Sequence, residues 1–194
     1  EIGKREDLRA LPIVAIDPVD ARDHDDAVWA APDDDPANAG GFRAIVAIAD
    51  VAFYVRPGGA LDREARKRGN SVNFTASLLE PSTTIAMLPH ELSSDMCSLK
   101  AGQDRAALAC HLTIDKGGKV ASWRFTRAVI RVAANIAYED AQAAIDGTAP
   151  HELLEPALKP LWACWHKMAK ARTARAPLEL DLPDTIRSTA ANAG

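Results

Sequence analysis

Five aspartates, Asp17, Asp20, Asp23, Asp25 and Asp26, fall within ten residues, flanked by two short apolar runs. Leu11–Ile16 reads as a buried strand arriving at the cluster, and Ala27–Ala31 as the strand leaving it. Two unit charges about 4 Å apart repel by roughly 4 kcal/mol at the effective dielectric of a protein surface. A turn crowded with carboxylates therefore either spreads them into water or neutralises them with a cation. Oxygen donors without a Cys or His cluster suit a hard cation, Mg²⁺ or Mn²⁺, over zinc. An EF-hand is excluded, because from Asp17 the sixth place is Arg22 and the twelfth is Val28, where that loop needs Gly and Glu. The later run Asp33-Asp34-Asp35 reads as a solvated connection.

A chain of 194 residues is long enough for one domain with a real core, and 47% apolar with 26% charged residues is the balance of a globular protein. No apolar run approaches 18 residues, so no transmembrane helix is expected. The charged start, Glu1 to Asp7, lacks a hydrophobic signal core. Cys97, Cys110 and Cys164 are odd in number and form no C-x-x-C pair, which fits reduced thiols in the cytoplasm and argues against structural zinc. The net charge of −4 is not that of a nucleic-acid binder on average, so local basic runs matter more than the total. There is no Gly-rich phosphate loop, no G-x-S-x-G elbow and no internal repeat.

Taken in order, residues 1–10 read as a charged lead-in, and Asp33–Gly41 as an exposed hairpin connection. Phe42–Val55 reads as one long buried strand interrupted by Asp50. A lone buried acid needs a partner, either nearby backbone or a role supporting the acidic loop. A short helix follows Pro57-Gly58-Gly59 and stops at Gly69. Its Arg63, Arg66, Lys67 and Arg68 form either a solvated basic face or a phosphate-contacting one. Ser71–Phe74 is predicted as a strand, and Pro89–Leu99 as a short helix and turn. Asp104–Asp115 and Lys119–Val132 form an expected hairpin about Lys116-Gly117-Gly118. Arg124, Arg127 and Arg131 recur along its second strand as a second basic patch. Asn135–Asp146 is expected as a helix closed by Gly147. In the last helix Leu161, Cys164, Trp165 and Met168 recur as a core stripe.

The acidic stretch Asp17-Pro18-Val19-Asp20-Ala21-Arg22-Asp23-His24-Asp25-Asp26-Ala27 resembles the signature that opens the catalytic RNB domain of the RNase II/RNase R exoribonuclease family. Further matches follow in family order: Ile48-Ala49-Asp50-Val51, Tyr54-Val55, Leu61 to Val72, Met87-Leu88-Pro89, Leu92-Ser93 and Cys97-Ser98-Leu99. Then come Asp104-Arg105-Ala106, Tyr138 to Gln142, and Leu178-Glu179-Leu180-Asp181-Leu182-Pro183. The resemblance implies an α+β fold, a mixed or antiparallel sheet with flanking helices like the N-terminal part of the RNB nuclease domain. It implies a partial RNB domain over residues 1–184 and a tail outside the family pattern over 185–194.

The same resemblance implies 3′-to-5′ hydrolysis of single-stranded RNA to nucleoside 5′-monophosphates, with Mg²⁺ (or Mn²⁺) as cofactor. It makes Asp17, Asp23 and Asp26 the metal ligands and ties Asp25 most directly to the hydrolytic step. Asp20 stays outside the ligand set, because family members vary there, and His24 is not expected to be a ligand. Arg63, Arg66, Lys67 and Asn73 are the expected RNA contacts. Asn73 stands where many members carry a Tyr that stacks on a nucleotide, a contact that an amide cannot reproduce. The Arg-containing motif and RNA-binding modules usual in the family are not in this sequence, so a missing C-terminal half of the catalytic domain is the expected partner. The alternative expectations are a catalytically inactive RNA-binding or regulatory remnant, and a bare metal-binding domain.

Overall fold

Short apolar stretches separated by turn-forming residues assemble here into one mixed sheet. The structure, a computed structural model, describes residues 4–21, 23–74 and 83–175. The strands are β1 (Glu6–Asp7), β2 (Val14–Asp17), β3 (Asp26–Pro32), β4 (Phe42–Ala49), β5 (Val72–Phe74), β6 (Thr83–Ile85), β7 (Asp104–Ile114), β8 (Val120–Arg131) and β9 (Ala134–Ala137). The helices are α1 (Val51–Tyr54), α2 (Ala60–Arg68), α3 (Tyr138–Ile145) and α4 (Lys159–Thr173), with single π-type turns at Leu92–Met96 and Leu154–Leu158. Seven strands lie in the order β1-β8-β7-β4-β3-β2-β9, while β5 and β6 pair separately. The outermost contacts, β1 with β8 and β2 with β9, are parallel, and the inner ones are antiparallel. The α+β class expected from sequence is the class observed.

Both long hairpins follow from local chemistry. Between β3 and β4, Asp35 accepts from the Ala37 N–H and starts a turn at Pro36–Asn38. Between β7 and β8, Asp115 Oδ1 accepts from the Gly117 and Lys119 N–H groups, and Gly118 takes φ 83°. A Cβ on Gly118 would lie 2.2 Å from the Lys167 carbonyl oxygen of α4, so only glycine lets the hairpin tip touch that helix.

Strand alternation sends one set of side chains to each face. On one face Ala15, Ala27, Ile45, Ala47, Ala107, Ala109, Ala128 and Ile130 pack with Leu8, Leu92, Cys97 and Leu99. Small alanines at the sheet centre let the irregular segments settle close against it. On the other face Val14 and Ile136 meet Ala144, Ala157 and Leu158, while Ala30, Phe42 and Ala44 meet Cys164 of α4. Fully burying a side chain such as Leu99 or Ile13 contributes about 1.5–3 kcal/mol. The second face is covered only in part. Ile48, Leu108, Trp123 and Phe125, on β4, β7 and β8, remain 41–66% exposed.

Several expectations need correction. The strand predicted over Phe42–Val55 ends at Ala49. Asp50 still donates its N–H to the Ala106 carbonyl, then turns the chain into α1. The helix expected from Asn135 begins at Tyr138, because Ala134–Ala137 pairs with β2 along the free edge of that strand. The charged lead-in contributes β1, paired with β8. Of the stripe on α4, Leu161, Cys164 and Met168 pack inward, but Trp165 is 53% exposed. The helix ending at Gly69 and the hairpin of β7 and β8 agree with expectation. Cys97, Cys110 and Cys164 are free thiols. Among the described residues no helix is long and apolar enough to cross a membrane. The Leu178–Pro183 motif and the boundary drawn at 184 lie outside the described residues.

Candidate active site

The acidic loop occupies the gap between two adjacent strands. β2 carries Asp17 as its last residue, bracketed by β9 and β3, and β3 begins at Asp26. A turn closed by the Ala21 N–H to the Pro18 carbonyl swings the loop outward. It then returns so that the His24 ring meets Asp17, with Nδ1 2.7 Å from Oδ2. Asp25 is exposed, with its carboxyl partly desolvated by neighbouring protein atoms. That desolvation, followed by the charges of Asp23, Asp26 and Asp17, pushes the carboxyl above its ordinary range, with His24 opposing. The four acids picked out from sequence thus share one electrostatic neighbourhood.

Three backbone hydrogen bonds hold the returning limb of the loop. The His24 N–H donates to Ser98 Oγ at 3.1 Å, and the Leu99 N–H donates to the His24 carbonyl at 2.8 Å. The Ala49 N–H donates to the Asp25 carbonyl at 2.9 Å. Ser98 is fully buried, and its carbonyl accepts from Arg105 Nε at 2.9 Å. Asn135 donates to the Leu99 carbonyl and accepts from the Ala101 N–H, fixing the same segment from β9. Sequence reasoning placed Cys97-Ser98-Leu99 in a motif without giving it this task. Its signal was a polar residue, Ser98, set between two apolar ones. Cys97 lies close enough to Asp25 for that charge, after burial itself, to push its thiol up.

Oxygen-only donors fit a hard divalent cation in kind, and so does the mutual repulsion at Asp25. As placed, however, no three Asp, Glu, His or Cys side chains among the described residues converge to hold an ion. Asp17 is turned instead toward His24.

Asp50 settles on a partner that neither sequence reading foresaw. Its carboxylate accepts from Arg5 Nη2 at 2.7 Å, and Arg127 Nε lies at 3.6 Å. The basic patch expected on β8 is largely spent in this way, since Arg124 pairs with Glu6 and Arg131 with Asp104. Arg63, Arg66 and Lys67 lie together on α2, a different element from the acidic loop. Arg66 pairs with Asp62, Arg63 donates to the Gly58 carbonyl, and Lys67 is exposed. Asn73 sits in β5 opposite Thr84, and its side chain lies outside what the structure describes.

A carboxylate loop strung between neighbouring strands of a mixed sheet, with the ordered motifs around it, points to a nuclease domain. The sequence profile of the RNB domain matches residues 5–190. The chain belongs to the RNB-domain family of RNase II/RNase R exoribonucleases. It is 40% identical over 185 residues to Ribonuclease R of Vibrio parahaemolyticus, covering 93% of this chain and 21% of that protein. To Ribonuclease R of Escherichia coli it is 46% identical over 134 residues, covering 69% of this chain and 15% of the relative. The structure of Mycoplasma genitalium RNase R in complex with double-stranded RNA superposes with a TM-score of 0.79 at 26% identity, covering 89% of this chain and 29% of that one. The chain spans about a fifth or less of the length of these two curated relatives.

Proposed function

We propose that the chain carries the catalytic loop of a 3′-to-5′ exoribonuclease that hydrolyses single-stranded RNA to nucleoside 5′-monophosphates. One observation supports this above the rest: in an RNB-family chain, Asp17, Asp23, Asp25 and Asp26 share one loop between adjacent strands, close enough to raise the Asp25 carboxyl. In this reading Asp17, Asp23 and Asp26 would hold Mg²⁺ or Mn²⁺, Asp17 giving up its contact with His24. A bound ion would supply Lewis-acid stabilisation of charge on the scissile phosphate. Asp25 orients the attacking water and accepts its proton. Ser98, Leu99 and Ala49 hold the loop backbone still while it does so. Arg63, Arg66 and Lys67 contact phosphates, and Asn73 contacts a nucleotide.

The relatives are several times longer, and the apolar side chains Ile48, Leu108, Trp123 and Phe125 are bare on one sheet face. Both support a further partner, the rest of the catalytic domain, seated over that face. The test joins residues 1–194 to the remainder of a Ribonuclease R relative and follows release of 5′-monophosphates from a 3′-labelled single-stranded oligomer with Mg²⁺. Turnover that Asp25→Asn abolishes, with RNA affinity kept, supports the reading. The inactive-remnant reading draws on the lack of convergence among the acids of the described residues, and predicts RNA binding without turnover in the same assay.

A further inference from the structure

We propose that the outward face of α4 is a binding surface for single-stranded polynucleotide, separate from the acidic loop. Trp162 and Trp165 are 39% and 53% exposed, and neither joins a core cluster. Their ring centroids are 4.8 Å apart with planes inclined at 32°, so together they present one broad aromatic surface to water. His166 stands next to Trp165, with ring centroids 6.3 Å apart. Two exposed tryptophans side by side require an explanation, because solitary apolar residues are ordinary on a surface and paired large aromatics are not.

Charge selects the occupant. The helix, Lys-Pro-Leu-Trp-Ala-Cys-Trp-His-Lys-Met-Ala-Lys-Ala-Arg-Thr, holds no acid, although the whole chain has a net charge of −4. Lys159 is engaged by Glu155, and Lys167 donates to the Gly40 carbonyl. Lys170 and Arg172 are exposed and have no ion-pair partner among the described residues. Trp162, Trp165, Ala169 and Arg172 follow one another at i, i+3, i+7 and i+10, a single line along the helix. Lys170 lies beside that line, and exposed Arg175 follows the helix end. Aromatic faces for bases beside cations for phosphates is the arrangement that holds single strands without reading their sequence. A protein partner recognised by apolar contact would not account for an acid-free helix.

The placement also suits a path for the strand. The N-terminal end of α4 follows Leu158, which packs with Ile16 and Val28 beside the acidic loop, while Met168 packs with Phe42 and Ile114 toward the hairpin tips. A strand lying along the helix, about 22 Å long at 1.5 Å per residue, therefore runs lengthwise over the sheet toward its acidic end.

The test is fluorescence anisotropy of a 5′-labelled single-stranded oligo(A) 12-mer titrated with the full 194-residue chain at low and high salt. Binding that weakens with salt is expected for the wild type. The double variant Trp162→Ala/Trp165→Ala should bind about tenfold more weakly or worse, since stacking contributes about 1–3 kcal/mol per base. Lys170→Gln/Arg172→Gln should reduce the slope of affinity against salt. All four positions are exposed, so circular dichroism and the melting temperature should stay as in the wild type. No binding by the wild type, or equal binding by the variants, overturns the proposal. So does a concentration-dependent dimer that the Trp variant abolishes while its RNA affinity is unchanged, because the face would then be a contact between copies.

Discussion

Arg5 Nη2 donates to Asp50 Oδ2 at 2.7 Å, and neither side chain is more than 5% exposed. The same guanidinium reaches the carbonyls of Ala107 and Ala128 and lies 5.0 Å over the Phe53 ring. One arginine near the start of the chain thus ties β7, β8 and the turn that ends β4 into one buried knot. Removing Arg5 leaves the buried Asp50 carboxylate with only the longer contact to Arg127, at 3.6 Å. Arg5→Met should therefore lower stability by about 3 kcal/mol in urea denaturation. Arg5→Met/Asp50→Leu, which removes both charges, should recover a large part of that loss. An additive double variant would show that the pair is not the cause.

Ser98→Ala leaves the His24 N–H without its acceptor inside the protein. An unsatisfied donor in a part-buried position costs about 1 kcal/mol, the low end for buried groups, and groups that position metal-binding loops are worth about 10–100-fold in affinity. Titration with Mn²⁺ followed by electron paramagnetic resonance should show a shift of that size. Unchanged affinity would confine Ser98 to folding.

Mg²⁺ or Mn²⁺ should raise the melting temperature, because an ion that binds only the folded chain stabilises it by mass action. Asp17→Asn and Asp26→Asn should each reduce the response. Equal responses in the wild type and both variants would remove these residues from the ligand set.

Acid stability should depend visibly on Glu6. Its hydrogen bond with Arg124 comes first among the causes that hold its carboxyl at about 2, with Thr126 and His111 adding to it. A depressed pKa contributes stability that is fully present above the unfolded value of 4.5 and is lost as pH falls from 4.5 to about 2. His111 faces the same pair, and burial holds it below 6.5, so it adds a loss in the same direction that begins as pH falls through 6.5. Glu6→Gln should flatten the melting curve between pH 4.5 and 2, measured by circular dichroism in low salt. A profile identical to wild type would mean that the contact with Arg124 does not survive in solution.

Residues 1–194 alone should turn over RNA at least about a hundredfold more slowly than the same residues joined to the remainder of a Ribonuclease R relative. The proposed partner would bring a preorganised charge-stabilising group, and losing one such group costs about that much in rate. Equal rates in the two proteins would make this part self-sufficient.

Much of the fold was legible because local chemistry determines local shape. Aspartate and glycine at the hairpin tips, the glycine after α2, and apolar runs of strand length each dictate their conformation within a few residues. The acidic loop was legible for the same reason, since its charges are close in sequence and must be close in space. β9 reads in the sequence as the start of a helix, because four residues of weak pattern become a strand only when the edge of β2 is there to pair with them. The fate of the basic residues was hidden too. Arg5 finds Asp50 across 45 positions, and Arg124 finds Glu6 across 118. The outward turn of Trp165 had the same origin: helical spacing puts residues on a common face, but only the sheet beneath α4 decides how wide the buried part of that face is. Sequence alone determined which residues are charged, apolar or able to turn. Tertiary structure decided which charges meet and which aromatics stay wet, because strand register and helix docking are set by contacts between segments far apart in the chain.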